Sequence, residues 1–505
     1  MQESGAGYGS QLREWLTQGW AACLNNWHWL SLIPLGLASQ FLYLEFFLKP
    51  YPLLALYDVP LLDLGKATDY SHAAGRDFAV AFLLLFALCY AAYLLCRGRS
   101  SSFALLVVLL LFAFLCGLTL FLVYPITAAD VFEYIAYARI LIHHGANPHL
   151  FRPADFPEDR LMWYSAWPHI TSPYGALWTY LSGVIGLLSG SSLLTYLLLF
   201  KGLALAVHLM NSGLIYASLA RWRPSYALAG TLLYAWNPLV LFESVAGGHH
   251  DGLVVFFILL AVYLFVRGRF ALAVPVAALS CVVKMPMAVF VPLFAVGGWR
   301  ALSGHRNRVR LMAFSVAVTV ALVVLLHAPL WEGWRSLGWL AREDLFTSSF
   351  AALAVLALRQ FVDDVELVRG LVRYAALGLF GLFYVWQLVR VRGDTRHFVV
   401  DLYWTVFALL VIAVLWFQPW YVVWLVALGA LVPSLAIGRL TILFSYTATW
   451  NYLVFIFLLA WYYPLMTTGH WLVANLVAVL LVLAPPIAYA AYLLGRGRSL
   501  DALEG

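Results

Sequence analysis

The sequence predicts an all-α polytopic membrane protein, on three observations. Of its 505 residues, 64% are hydrophobic and only 11% charged, where a soluble chain carries about a quarter charged residues. Mean hydropathy is +0.87. Apolar runs of about 20 residues, the length a transmembrane helix needs, recur along the whole chain. Segments of about 10 residues alternating in polarity, the signature of a transmembrane barrel, do not occur.

The net charge of +6 does not point to nucleic acid, because the arginines lie between apolar runs. Many of them come in tight pairs: Arg97 and Arg99, Arg221 and Arg223, Arg267 and Arg269, Arg390 and Arg392, Arg496 and Arg498. The densest cluster is "WRALSGHRNRVR". Short basic loops stay in the cytoplasm. With these loops inside, the chain closes into about fourteen spans of helical length. They lie near 28–48, 78–96, 102–124, 193–219, 226–244, 251–267, 270–283, 286–299, 311–329, 367–390, 398–417, 420–437, 441–461 and 471–493. Both termini are then expected in the cytoplasm and the protein in the plasma membrane. The first residues, "MQESGAGYGSQLREWLTQGW", lack a signal-peptide layout.

Two places depart from simple crossing. Counting "YGALWTYLSGVIGLLSG", 174–190, as a span would put "RWRP" outside, so the segment is expected to lie along the outer surface. Segments 270–283 and 286–299 are each about 21 Å long at about 1.5 Å per residue, short of a core of about 30 Å. They predict a shallow hairpin with Lys284 at its tip. The five cysteines show no CxxC and no metal spacing.

This topology brings the polar stretches to one face. "YPITAADVFEYIAYARILIHHGANPH" follows an uncharged span. In it Asp130, Glu133, Tyr134 and Tyr137 share one helical face. The plain alternative is a solvated interfacial helix with tyrosines in the aromatic belt. A carboxylate at a membrane boundary is costly, however, and can serve as a general base for a sugar hydroxyl. His143, His144, His149 and His169 share the loop, but without the spacing of a metal site, and none is expected. "NPLVLFESVAGGHHDG" clusters Glu243, His249, His250 and Asp251 at a tight tip. Lys201 and Lys284 are cations in apolar surroundings. Lys201 can snorkel, whereas Lys284 suits a phosphate. Arg335 and Arg342 are weaker candidates of the same kind.

Taken together, "ADVFEYIAYARILIHHGANPH", "SPYGALW", "WNPLVLFESVAGGHHDG", "VVKMPMAVFVPL" and "FQPWYVVWL" occur in an order that resembles the GT-C superfamily of polytopic glycosyltransferases. The nearest branch looks like the polyprenyl- or dolichyl-phosphate-sugar-dependent enzymes, mannosyltransferase-like ones above all. The resemblance implies a GT-C-like bundle with outer juxtamembrane helices in its first large loop. It implies a membrane module over 99–440, preceded by an added region 1–98 and followed by a hairpin and tail, 441–505. It also implies transfer of a hexose, mannose as best guess, from a polyprenyl-phosphate sugar to a lipid-linked or glycan acceptor on the non-cytoplasmic face.

By the resemblance Asp130 is the catalytic base, with Glu133 beside it. Ala128 and Ala129 stand where many relatives have a second acid, which favours an inverting transfer without metal or other cofactor. Lys284, His249, His250, Lys201 and Arg335 would face the donor phosphate. Tyr134, Tyr137, Tyr174, Glu243, Asp251, Gln418 and Trp420 would line the substrate site. The partners implied are the lipid donor, the acceptor and membrane lipids, not nucleic acid. A transporter or lipid flippase would use the same polar cluster as a path. It would favour internal repeats and a site at mid-membrane, and neither is evident. A scaffold without chemistry would not require Asp130, Asp251 and Lys284 to converge.

Overall fold

A computed structural model describes residues 30–97, 103–336, 345–462 and 468–495. Among them all regular structure is helical; the pairings Pro52–Val123 and Thr347–Trp416 are isolated bridges. Eight helices are long and apolar enough to cross a membrane: His72–Cys96, Phe103–Phe121, Leu193–Trp222, His305–Leu330, Val365–Arg390, Thr395–Ala413, Leu435–Tyr462 and His470–Gly495. A ninth span arises if Pro238–Ala246 and Asp251–Val266, bent by 120° at their junction, count as one. The all-helical membrane class is thus borne out. The count of about fourteen spans is not reproduced among the described residues: four expected segments correspond to shorter apolar helices, Leu32–Leu48, Phe270–Val283, Met285–Ala301 and Pro419–Leu431, and 226–244 and 251–267 give at most the one bent span.

Two boundaries differ for reasons of local chemistry. Segment 226–244, expected as one span, breaks after Ala235. Asn237 caps a new turn by accepting from the N–H groups of Leu239 and Val240, and Pro238 at the first helical position has no N–H to satisfy. Segment 420–437 ends instead at Leu431. Ser434 then caps the helix that begins at Leu435 by accepting from the Ile437 N–H. Arg439, expected in a loop, therefore lies inside that helix, with Nε donating to the Tyr90 hydroxyl. A further helix, Phe350–Leu358, is capped by Ser349, whose hydroxyl accepts from the Ala352 N–H.

Three features position the polar residues. Helix Asp130–Ile142 starts with Asp130 and Glu133 in its first turn, where the positive helix end favours carboxylates. Segment 174–190 forms a 14-residue helix, Ala176–Ser189, packed on Asp130–Ile142. Phe270–Val283 and Phe290–Ala301 form a short hairpin around Lys284 and the turn Met285–Val289.

The N-terminal helices enter the same core. Phe47, Phe82 and Phe78 pack around Phe242 at centroid separations of 5.1, 5.3 and 6.3 Å. Such pairs contribute about 0.5–1.5 kcal/mol each beyond area burial. Phe242 opens the π-helical turn that carries Glu243, so these helices brace the polar stretch next to the bend.

Candidate active site

A cavity of about 580 Å³ joins the stretches that the sequence places far apart. Asp130, Tyr137, Tyr174, His250 and Lys284 line it together with Val289, Phe380, Leu409 and Val414. The wall thus combines charged and polar groups with apolar side chains. Met285 and Leu377, both in the wall, are exposed at 44% and 47%, so the cavity reaches the apolar outer surface of the bundle. A pocket of this size and polarity is a default binding-site candidate.

Asp130 sits in this wall with 22% of its side chain exposed. Tyr174 donates its hydroxyl to Oδ1 at 3.1 Å. His249 Nε2 lies 3.6 Å from Oδ2. Burial pushes the Asp130 carboxyl up, but His249, the Lys284 charge and the Tyr174 hydroxyl outweigh it and hold the group below its ordinary value. At neutral pH Asp130 is therefore an ionised carboxylate open to the cavity.

Lys284 stands in the same wall. Its ammonium donates to Asp251 Oδ1 at 2.8 Å, and Trp424 Nε1 donates to the same oxygen at 2.7 Å. The ammonium also lies over the rings of Tyr421 and Trp424, 4.6 and 5.0 Å from their centroids. An ammonium has three donors, and the salt bridge takes one. Asp251 is buried, so this ion pair fixes the lysine at the rim rather than anchoring it in lipid.

His250 lines the same cavity. Its Nδ1 is 2.8 Å from the Tyr134 hydroxyl, while Nε2 makes no hydrogen bond among the described residues. Tyr134 itself is fully buried behind the wall, packed edge-on against Tyr174 and Trp178. It supports His250 rather than facing the cavity. Tyr137 does line the cavity and donates to the Ile170 carbonyl at 2.9 Å.

Other residues singled out in the sequence serve elsewhere. Glu133 borders the cavity, but its carboxylate accepts from Ser165 Oγ at 2.8 Å and from the Trp167 N–H at 3.0 Å. Burial pushes it up to about 7, only partly offset by those two hydrogen bonds. Glu133 is thus committed to holding the 165–167 loop. Lys201 is not at the cavity. It is fully buried, and its ammonium donates to the carbonyls of Leu120, Val123 and Ala246 at 3.3, 2.8 and 2.5 Å. These carbonyls end or follow helical segments, where a cation is favoured, so Lys201 ties the start of the first loop to the bend.

Arg335 is exposed and outside the cavity wall, and Gln418 is half-buried outside it too. Arg342 lies outside the described residues. Glu243 is buried behind His249, accepting from the Tyr452 hydroxyl at 2.8 Å.

The loop histidines do not converge on the cavity. His143, His144 and Asp159 lie close enough to share an ion. Asp159 there accepts from Arg139 Nε at 2.5 Å and from the Leu161 N–H. That arrangement neutralises the carboxylate with an arginine on site.

Trp424, Tyr421 and Phe380 were missed by sequence reasoning. They lie inside apolar helices with no polar neighbour in sequence. "FQPWYVVWL" carried the only signal: its aromatics recur at positions 417, 420, 421 and 424, a helical stripe.

Residues 58–300 match the family model described as Alpha-(1->6)-mannopyranosyltransferase, N-terminal domain. The chain is 23% identical over 295 residues to Alpha-(1->6)-mannopyranosyltransferase A of Corynebacterium glutamicum, covering 53% of this chain and 59% of that one. It is 24% identical over 356 residues to the protein of the same name from Mycobacterium tuberculosis, covering 66% of each. The chain thus spans between about three fifths and two thirds of the length of these relatives. The family region contains Asp130, His249, His250, Asp251 and Lys284. These matches bear out the resemblance carried by the motifs: residues 58–300 are related to a GT-C-type mannosyltransferase family.

Proposed function

We propose that this protein transfers a mannosyl unit from a polyprenyl-phosphate donor to a glycan or lipid-linked acceptor on the non-cytoplasmic face. The observation that carries the reading is one cavity that holds Asp130 and the Lys284 ammonium in an otherwise largely apolar wall reaching exposed Met285 and Leu377. An amphipathic donor matches such a lining. Its isoprenoid chain would lie along Val289, Phe380 and Leu409, and its phosphate would meet Lys284, with the His250 ring in the same wall.

In this reaction Asp130 takes the proton of the acceptor hydroxyl as its oxygen bonds to the anomeric carbon. The bond from that carbon to the phosphate oxygen breaks, and the lipid phosphate leaves with the electron pair. Lys284 stabilises the charge that develops there, as preorganised cations do. The names of the relatives support an α-(1→6) linkage. An inverting transfer giving an α product consumes a β-linked donor. The enzyme reading is favoured over a transporter because carboxylate and cation meet in one lipid-open cavity and the relatives are transferases.

The orientation is part of this proposal, since a nucleotide sugar is available only inside the cell. It is tested in intact cells with single cysteines in a background lacking the native ones. Glu158→Cys and Trp334→Cys, both at exposed positions, should react with an impermeant thiol reagent added outside. Arg267→Cys and Asn307→Cys should react only after the membrane is opened. Labelling of position 307 from outside would reverse the orientation and remove the argument for a lipid donor.

A further inference from the structure

His249, adjacent to the cavity-lining His250, is buried and stands outside the cavity wall. Its ring is folded back over its own turn. Gly248 has a φ of +69°, and a Cβ on Gly247 would lie 2.7 Å from His249 Nδ1 and 2.8 Å from the Glu243 carbonyl oxygen. Only glycine at 247 leaves the imidazole that position.

The ring's two nitrogens have different partners. Nδ1 is 2.8 Å from the Glu243 carbonyl, which can only accept, so Nδ1 carries a proton. Nε2 faces Asp130 Oδ2 at 3.6 Å and has no hydrogen-bond partner among the described residues. A neutral ring would turn a lone pair toward that carboxylate, whereas an imidazolium turns an N–H. Three further contacts favour the cation. Glu243 Oε2 is 3.4 Å from Nδ1. The Tyr452 hydroxyl fixes the other Glu243 oxygen. The ring stacks on Trp420 with centroids 4.4 Å apart and planes at 21°, a face that attracts cations.

We propose that His249 is a positioning residue rather than a phosphate ligand: as an imidazolium behind Asp130 it keeps the carboxylate ionised and aimed into the cavity, and Glu243, Tyr452 and Trp420 hold it there. The proposal rests on the reading of Asp130 as the base. The other titratable groups around the pair are Glu133 on the same helix, Tyr174 on Asp130, and His250, Asp251 and Lys284. Lys284 adds positive charge near Asp130 but is already paired with Asp251. His249 lies at ion-pair distance from the base, 3.6 Å, and its other nitrogen is held 3.4 Å from Glu243.

The test is the pH dependence of turnover in the full-length chain, purified into nanodiscs, with polyprenyl-phosphate mannose as donor. In His249→Gln the acidic limb should move up by about one to three pH units, the usual effect of an opposite charge within a few ångströms. Donor KM should stay unchanged. Glu243→Gln and Tyr452→Phe should move the limb the same way by less, because each weakens support for the imidazolium without removing it. A raised donor KM with an unmoved limb in His249→Gln would overturn the proposal and make His249 a phosphate ligand. If that variant does not fold, an unmoved limb in both Glu243→Gln and Tyr452→Phe overturns it equally. Normal turnover in Asp130→Asn would instead remove the base assignment, a failure distinct from that of His249.

Discussion

Asp130→Asn should lower turnover by about 10²–10⁴-fold, the usual worth of a positioned acid–base group. The amide keeps the shape and still accepts from the Tyr174 hydroxyl, but it cannot take the acceptor's proton. Donor binding and folding should stay near normal, because the phosphate contact is assigned to Lys284. Glu133→Gln is the comparison. Its carboxylate is occupied by Ser165 and the Trp167 N–H, so its loss should loosen that loop and cost far less turnover. Steady-state kinetics on folded protein decide between them. Near-normal turnover in Asp130→Asn would remove it as the base, and loss confined to Glu133→Gln would transfer the role one turn along.

Lys284→Met has the second largest expected effect. Removing the cation should weaken donor binding and slow transfer by about 2–4 kcal/mol in transition-state stabilisation, comparable to one oxyanion donor. The substitution also strands Asp251, which is 1% exposed and keeps only Trp424 as a hydrogen-bond donor to Oδ1. Leaving a buried charge unpaired is itself destabilising by about 3–5 kcal/mol. The double variant Lys284→Met/Asp251→Asn separates the two effects. Stability should recover in the double variant while the kinetic loss remains. Recovery of turnover along with stability would assign Lys284 to structure alone.

The parts of the fold legible in the sequence are those governed by length and charge. Runs such as 102–124 and 471–493 are long and uncharged with arginines close to one end, and the structure shows single helices there. The short hairpin around Lys284 followed from helical rise alone. The break at Asn237 was visible as Asn-Pro, but the surrounding apolar residues masked it in a hydropathy reading. The turn at Val432–Ser434 was hidden in the same way.

In the site, the residue types were legible and the partners were not. A carboxylate, two histidines and two lysines stood out because each is costly in apolar surroundings. Which of them face a cavity depends on tertiary neighbours. Lys201 and Lys284 look alike in sequence, yet one is capped by three carbonyls and the other is paired with Asp251 at a cavity rim. The bond from Trp424 to Asp251 joins residues 173 positions apart. No local pattern announces it, and the same holds for Tyr452 on Glu243.

The most direct test of the account is transfer by the purified protein from radiolabelled donors, in the presence of a metal chelator. Polyprenyl-phosphate mannose should be consumed, with the label appearing α-(1→6)-linked in the glycan or lipid-linked acceptor. A nucleotide-linked mannose should give no product, because the cavity wall is largely apolar and suits a lipid chain. Transfer from the nucleotide sugar but not from the lipid phosphate would contradict the account.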